Sequence, residues 1–316
     1  MTAHPAPPLP ITTLTINPAL DVSTSTERVM AEHKMRCGPS RLDPGGGGVN
    51  VSRVIARLGG QSTAIYAVGG PTGQAYRQLL EAEGIVGRAV PIAGSTRENI
   101  TVDELSTGKQ FRFVLQGPEL SEAEWQAALD ATVSAARHGG YVVPSGSLPP
   151  GVPDDYYARV THAAHASGAR VVVDASGEAL AAALDEGVFL IKPSGRELGE
   201  LVGANLSTID EKIAAAEELV ARGRVEVVAL TLGGDGAVLA SAEGTMVVTP
   251  PPIEVRSTVG AGDSFLAGMV LRLAEGRPLR DAFRAGVACG AATAMTVATE
   301  LCHASDVARL EAELAA

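Results

Sequence analysis

The chain has 316 residues with a formal net charge of −11; 46% are hydrophobic, 19% charged and 3% aromatic, and 36 are glycine. That composition excludes a disordered or fibrous chain and describes a globular α/β protein packed largely from Ala, Val, Leu and Ile. The acidic balance opposes a broad nucleic-acid surface, and no apolar run reaches membrane-spanning length, so an anionic small ligand needs a locally basic pocket.

Residues 1–10 are rich in Pro and Ala without a basic segment followed by an apolar one, which predicts a tail rather than a signal peptide. No linker divides the rest, so residues 11–316 are read as one large domain with a small appendage. Asp21–Arg41 is extended, and a helix is expected from near Asn50 to Gly59-Gly60. Glu98–Leu105 and Lys109–Leu115 alternate apolar and polar side chains around Ser106-Thr107-Gly108, a hairpin. Together about residues 21–41 and 97–115 would form a small antiparallel sheet, wet on one face, that a substrate or a second subunit covers. From about residue 140 the strands Tyr141–Pro144, Arg170–Asp174, Val188–Lys192 and Glu226–Thr231 alternate with helical runs such as Pro153–Ala166 and Ile209–Arg222, and Asp263–Ala274 is a further helix. That alternation predicts a parallel sheet with both faces covered.

Two glycine turns open helices. In Asp43-Pro44-Gly45-Gly46-Gly47-Gly48-Val49-Asn50 the glycines let backbone N–H groups approach a ligand at the positive end of a helix, although a flexible loop with an Asn cap has the same letters. In Ser257-Thr258-Val259-Gly260-Ala261-Gly262-Asp263-Ser264 a carboxylate stands in the first turn, either as an ordinary cap or beside an anion hole. Lys192 and Thr231-Leu232-Gly233-Gly234-Asp235-Gly236 follow strands at the carboxyl edge, where open α/β sheets place ligands, although the second could be a plain hairpin turn. Cys37, Cys289 and Cys302 form no paired spacing, as suits a reducing cytoplasm, and His4, His33, His138, His162, His165 and His303 form no zinc pattern.

The pair of glycine motifs, about 210 residues apart, resembles the PfkB carbohydrate kinases from about Ile11 to the C-terminus, and Thr258-Val259-Gly260-Ala261-Gly262-Asp263 is similar to that family's diagnostic signature. The resemblance implies a ribokinase-like three-layer α/β/α fold with a mostly parallel sheet and a β-sheet lid, a cytoplasmic enzyme, and a homodimer through the lid. It implies Asp263 as catalytic base and the N–H groups of Gly260, Ala261 and Gly262 as anion hole. Asp21, Gly45, Gly46 and Asn50 would hold sugar hydroxyls, Lys34, Arg97 and Ser147 the sugar's phosphate, with Arg112 nearby on the lid. Lys34 and Arg97 also read as exposed lid charges, and Asp21 as a turn residue. ATP would lie against Lys192, Thr231, Gly233 and Gly236, and Glu197 would organise Mg2+, although Ser194 replaces the Asn of the family's Asn-x-x-Glu motif. For potassium (K+) the resemblance is divided: Ser257 and Val259 fit, but Thr296, Ala298 and Glu300 stand where Asn, Gly and Arg are expected.

The implied reaction is transfer of the γ-phosphoryl group of ATP to the C1 hydroxyl of fructose 6-phosphate. Phosphorylation of fructose 1-phosphate or tagatose 6-phosphate is the rival, disfavoured because such relatives often carry Gly-Gly-Lys-Gly where Gly45–Gly48 stand. A non-catalytic sugar-phosphate-binding regulator on the same fold is the alternative of another class, and Asp263 speaks against it.

Overall fold

The computed structural model describes residues 7–136 and 140–315; residues 1–6 of the expected tail, with His4, and His138 lie outside them. The chain opens with strands β1 (Ile11–Thr15), β2 (Ala19–Thr26) and β3 (Arg41–Gly45), helix α1 (Gly47–Arg57), β4 (Thr63–Val68), α2 (Gly70–Ala82) and β5 (Gly87–Pro91). The hairpin β6 (Arg97–Glu104) and β7 (Lys109–Val114) and helix α3 (Glu122–Ala135) follow. Regular alternation then runs β8 (Tyr141–Pro144), α4 (Tyr156–His165), β9 (Arg170–Val173), α5 (Gly177–Asp185), β10 (Val188–Ile191), α6 (Gly195–Val202), α7 (Ile209–Ala221), β11 (Val225–Thr231), β12 (Ala237–Ser241) and β13 (Gly244–Val248). Helices α8 (Ala261–Ala274), α9 (Leu279–Ala294) and α10 (Ala304–Ala315) close the fold.

The large sheet runs β13-β12-β11-β10-β9-β8-β1-β4-β5, parallel from β11 to β5 with β12 and β13 antiparallel at one edge. Its central strands β8, β9 and β10 are largely apolar on both faces, and the period-two alternation of side chains divides them between two cores. Val142, Val171, Val173 and Ile191 join one core with Trp125, Tyr156 and Leu180 of α3, α4 and α5. Tyr141, Val143, Val172 and Leu190 join the other with Val54, Phe265 and Phe283 of α1, α8 and α9. Three layers result, and the strands' carboxyl ends emerge between them.

The second sheet runs β3-β2-β6-β7. It is not the antiparallel sheet expected, because β2 pairs in parallel with β6 although β3 and β7 flank them antiparallel. The long connection through α1, β4, α2 and β5 permits this, whereas only short turns force an antiparallel neighbour. The register sets Asp21 opposite Asp43 on one side and Asn99 on the other. Leu42, Phe113 and Val114 of this sheet are exposed.

Candidate active site

Four consecutive parallel strands each deliver a polar residue at the carboxyl edge: Ser145 after β8, Asp174 after β9, Lys192 after β10 and Thr231 at the end of β11. Lys192, 7% exposed, places Nζ 3.1 Å from the Asp174 carboxylate. Burial would lower its pKa, but Asp174 and Asp263 outweigh that and hold the ammonium above its ordinary range. A Cβ at Gly262 would lie 3.1 Å from Nζ, so the second glycine of the turn lets Lys192 approach the start of α8.

Asp263 is not a cap. Gly260, with φ 75°, is the N-cap of α8 and Asp263 is the third helical residue. Its Oδ2 accepts from Asn50 Nδ2 at 2.8 Å, joining α8 to α1 across 213 positions of sequence. Burial, helped by the repulsion of Asp174 and Asp21, pushes the carboxyl up to about 7, against the opposing pull of Asn50 and Lys192. Of the expected anion-hole amides, Ala261 N–H is directed to Thr258 O at 3.3 Å. Asn50 is likewise no cap, since α1 already begins at Gly47 and the amide side chain is left for Asp263.

Asp21 faces the same space from β2. Asn99 Nδ2 donates to its Oδ1 at 2.9 Å, and burial together with Asp43 raises it to about 6 against the pull of Asn99 and Arg97. A Cβ at Gly45 would come within 2.0 Å of its Oδ2, so any side chain there would displace the carboxylate. Gly46 occupies the left-handed region at φ 121°, which turns the chain into α1.

Arg97 and Ser147 share a cavity of about 510 Å³ with Asn17, Gln116 and Asp154. The Arg97 guanidinium is fixed by Nη1 to Leu115 O and Nη2 to Asn17 O, both at 3.0 Å, while its Nε is buried without a partner. Burial lowers its pKa although Asp21 pulls it up. Arg97 is therefore no loose surface charge. Lys34 is: it is exposed in the segment after β2 and does not line this cavity. Arg112 also misses it, lining instead a smaller cavity with Asp21, Asn99, Val259 and Thr299.

Thr231 and Gly233 line a cavity of about 1060 Å³ along α6 that also holds Ser194, Arg196 and Lys212. Gly236, at φ 99°, does not line it; a Cβ there would meet Val248 O at 2.2 Å, so its place is set by β12–β13 packing. Glu197 accepts from Ser194 N at 2.8 Å and Ser194 Oγ accepts from Glu197 N at 3.3 Å, a reciprocal cap on α6. Ser257 Oγ donates to Ala298 O at 2.7 Å, and Ala298 sits at φ 52°. Sequence reasoning missed Asp174, read only as the last residue of a strand, and Asn17 and Asn99, whose Oδ1 atoms are buried without partners. Asp174 was findable as the first polar residue after an apolar strand at the carboxyl edge.

The sequence profile of the pfkB family carbohydrate kinases matches residues 15–305. The chain belongs to that family. ATP-dependent 6-phosphofructokinase isozyme 2 of Mycobacterium tuberculosis is 48% identical over 299 residues, 95% of this chain and 88% of the relative. A 1-phosphofructokinase of Bacillus subtilis is 36% identical over 286 residues, 90% of this chain and 93% of the relative. The crystal structure of phosphofructokinase-2 from Escherichia coli in complex with fructose-6-phosphate superposes with a TM-score of 0.93 at 40% identity, covering 98% of this chain and 100% of that one. The fold of this kinase is thus the ribokinase-like one expected, and its family transfers phosphate to a hydroxyl. Among the described residues no helix is long and apolar enough to cross a membrane, and no three His, Cys, Asp or Glu gather around a metal-sized space.

Proposed function

We propose that this kinase is a 6-phosphofructokinase, transferring the γ-phosphoryl group of ATP to the C1 hydroxyl of fructose 6-phosphate and yielding fructose 1,6-bisphosphate. The observation that carries the reading is Arg97: a buried guanidinium N–H with no partner, in a cavity with Ser147, is a site for an anion, and Asp21 is near enough to act on its charge. An unpaired buried donor costs free energy that a phosphate oxygen restores.

Asp263, poised near 7, accepts the hydroxyl proton as the oxygen attacks the γ-phosphorus; the O–P bond to the β-bridging oxygen breaks and ADP leaves with its electron pair. Gly260 and Gly262 N–H groups and Lys192 face the charge that builds on the transferring group. Asp21, Gly45, Gly46 and Asn50 hold and orient the sugar, and the Thr231–Gly233 cavity receives the nucleotide. Magnesium would arrive on ATP, where it neutralises phosphate charge; the Glu197 carboxylate, fixed on α6 by its cap, fits the role of receiving the ion's waters, as expected for an ion that rarely needs a full protein cage. The second sheet would close over the sugar and, through exposed Leu42, Phe113 and Val114, pair with a second copy. The cytoplasm is the compartment that fits ATP as donor.

The rival substrates are weighed by Gly47, where relatives often carry Lys: a Cβ there would come within 2.0 Å of Ser145 Oγ, so this loop is shaped for glycine. A coupled assay of ADP release with fructose 6-phosphate, fructose 1-phosphate and tagatose 6-phosphate decides the substrate. The highest kcat/KM is expected for fructose 6-phosphate. A preference for either of the others overturns the substrate, and binding of all three without turnover overturns the enzyme.

A further inference from the structure

Asn50 faces Asp263 through an amide, and an amide has two ends. With Nδ2 forward it donates to the carboxylate at 2.8 Å; turned about, it would set its oxygen against another oxygen and repel it. What fixes the choice is Arg53, one helical turn further along α1 and so on the same face. Its Nη1 donates to Asn50 Oδ1 at 3.3 Å and to Pro44 O at 3.1 Å, the latter just before the glycine turn. A guanidinium carries five donors and no acceptor, so only the oxygen end of the amide can lie against it.

Arg53 is 1% exposed and among the largest wholly buried side chains. A buried charge is expensive unless it is paired. Here Nε and Nη2 grip Glu83 at 2.8 and 2.6 Å, and Asp43 lies 3.4 Å from Nη2. That clamp carries the guanidinium's charge while leaving Nη1 for Asn50 and Pro44. Arg53 itself touches no group assigned to substrate transfer other than Asn50.

We infer that Arg53 is a positioning residue for the phosphoryl transfer proposed above: held by Glu83 and Asp43, it locks the Asn50 amide with its NH₂ toward the Asp263 carboxylate. Asp263 is faced by Asn50, Lys192, Asp174 and Asp21. Loosening Asn50 removes one of the two groups that favour the ionised base, so its titration should move upward.

The test is a double-mutant cycle of R53K and N50A on the full chain. Lysine keeps the charge for Glu83 but loses the fork. R53K should lower kcat about tenfold, the scale of one hydrogen bond to a charged group, and move the acid limb of kcat/KM upward with KM for ATP unchanged. In the N50A background the same change should cost less than about twofold, because the amide through which it acts is gone. Should R53K fail to fold, E83A, which loosens the clamp from the more exposed partner, should move the acid limb the same way and likewise lose its effect with N50A. Titration of the carboxyl carbon of Asp263 by NMR reads the same shift without turnover. Equal effects in the two backgrounds, or an unmoved acid limb and carboxyl titration, overturn the inference. A failed substrate reading shows in the wild type against the three sugar phosphates, whereas a failed Arg53 role shows only in the cycle.

Discussion

The carboxyl edge of the large sheet and the four-stranded sheet beside it differ in how completely they pair their buried polar groups. At the edge Lys192 meets Asp174, Asp263 meets Asn50 and Glu197 meets the start of its own helix. In the smaller sheet and the turn beside it, Arg97 Nε, Asn99 Oδ1 and Asn17 Oδ1 are buried without partners, and apolar side chains face outward. The first region is preorganised, as a reaction run by positioning and electrostatics requires. The second is incomplete, which suits a surface whose ligand supplies the missing contacts.

The sharpest way to break this comparison is Asp263→Asn, which keeps shape and removes the base. We expect kcat to fall at least about a thousandfold with KM values within roughly tenfold; a near-normal kcat in steady-state assays would remove Asp263 from the chemistry. In the wild type, kcat/KM should rise with pH and level off above about 7, the value to which burial pushes this carboxyl. The stability sign is opposite. A carboxyl that binds its proton more tightly folded than unfolded stabilises the fold at low pH, and that contribution is lost as pH rises from about 4 through 7. The Tm of Asp263→Asn relative to wild type should therefore be higher at pH 8 than at pH 5, read by calorimetry.

Arg97→Ala probes the incomplete half. KM for the sugar phosphate should rise roughly ten- to a hundredfold, the cost of one charge-assisted contact, with KM for ATP unchanged. A rise for ATP alone would place the phosphate elsewhere.

The smallest effect is expected at α6. Glutamine also serves in a reciprocal cap, so Glu197→Gln should keep the fold while weakening the hold on the waters of magnesium, lowering kcat about tenfold. Ser194→Asn should be tolerated or raise activity. Magnesium titrations of both variants check this, and an unchanged kcat and magnesium requirement for Glu197→Gln would leave the ion to ATP alone.

Much of this was legible in the chain itself. The strands from Tyr141 to Thr231 announce themselves as β-branched runs ended by Gly, Ser or Pro, because a strand buried on both faces must be apolar throughout. The two glycine turns are equally plain, and the structure gives their reason: a Cβ at Gly45 would run into the Asp21 carboxylate and one at Gly262 would crowd the Lys192 ammonium. The tertiary structure alone decided which way β2 and β6 run, as a long connection permits either direction. It alone separated Arg97, locked into a cavity, from Lys34, left in solvent, two cations that the sequence presents alike. Asp174 takes Lys192 from the neighbouring strand and Arg53 takes Glu83 from the end of α2, and pairing of that kind depends on which elements the fold brings within a few ångströms, a quantity that local pattern does not encode.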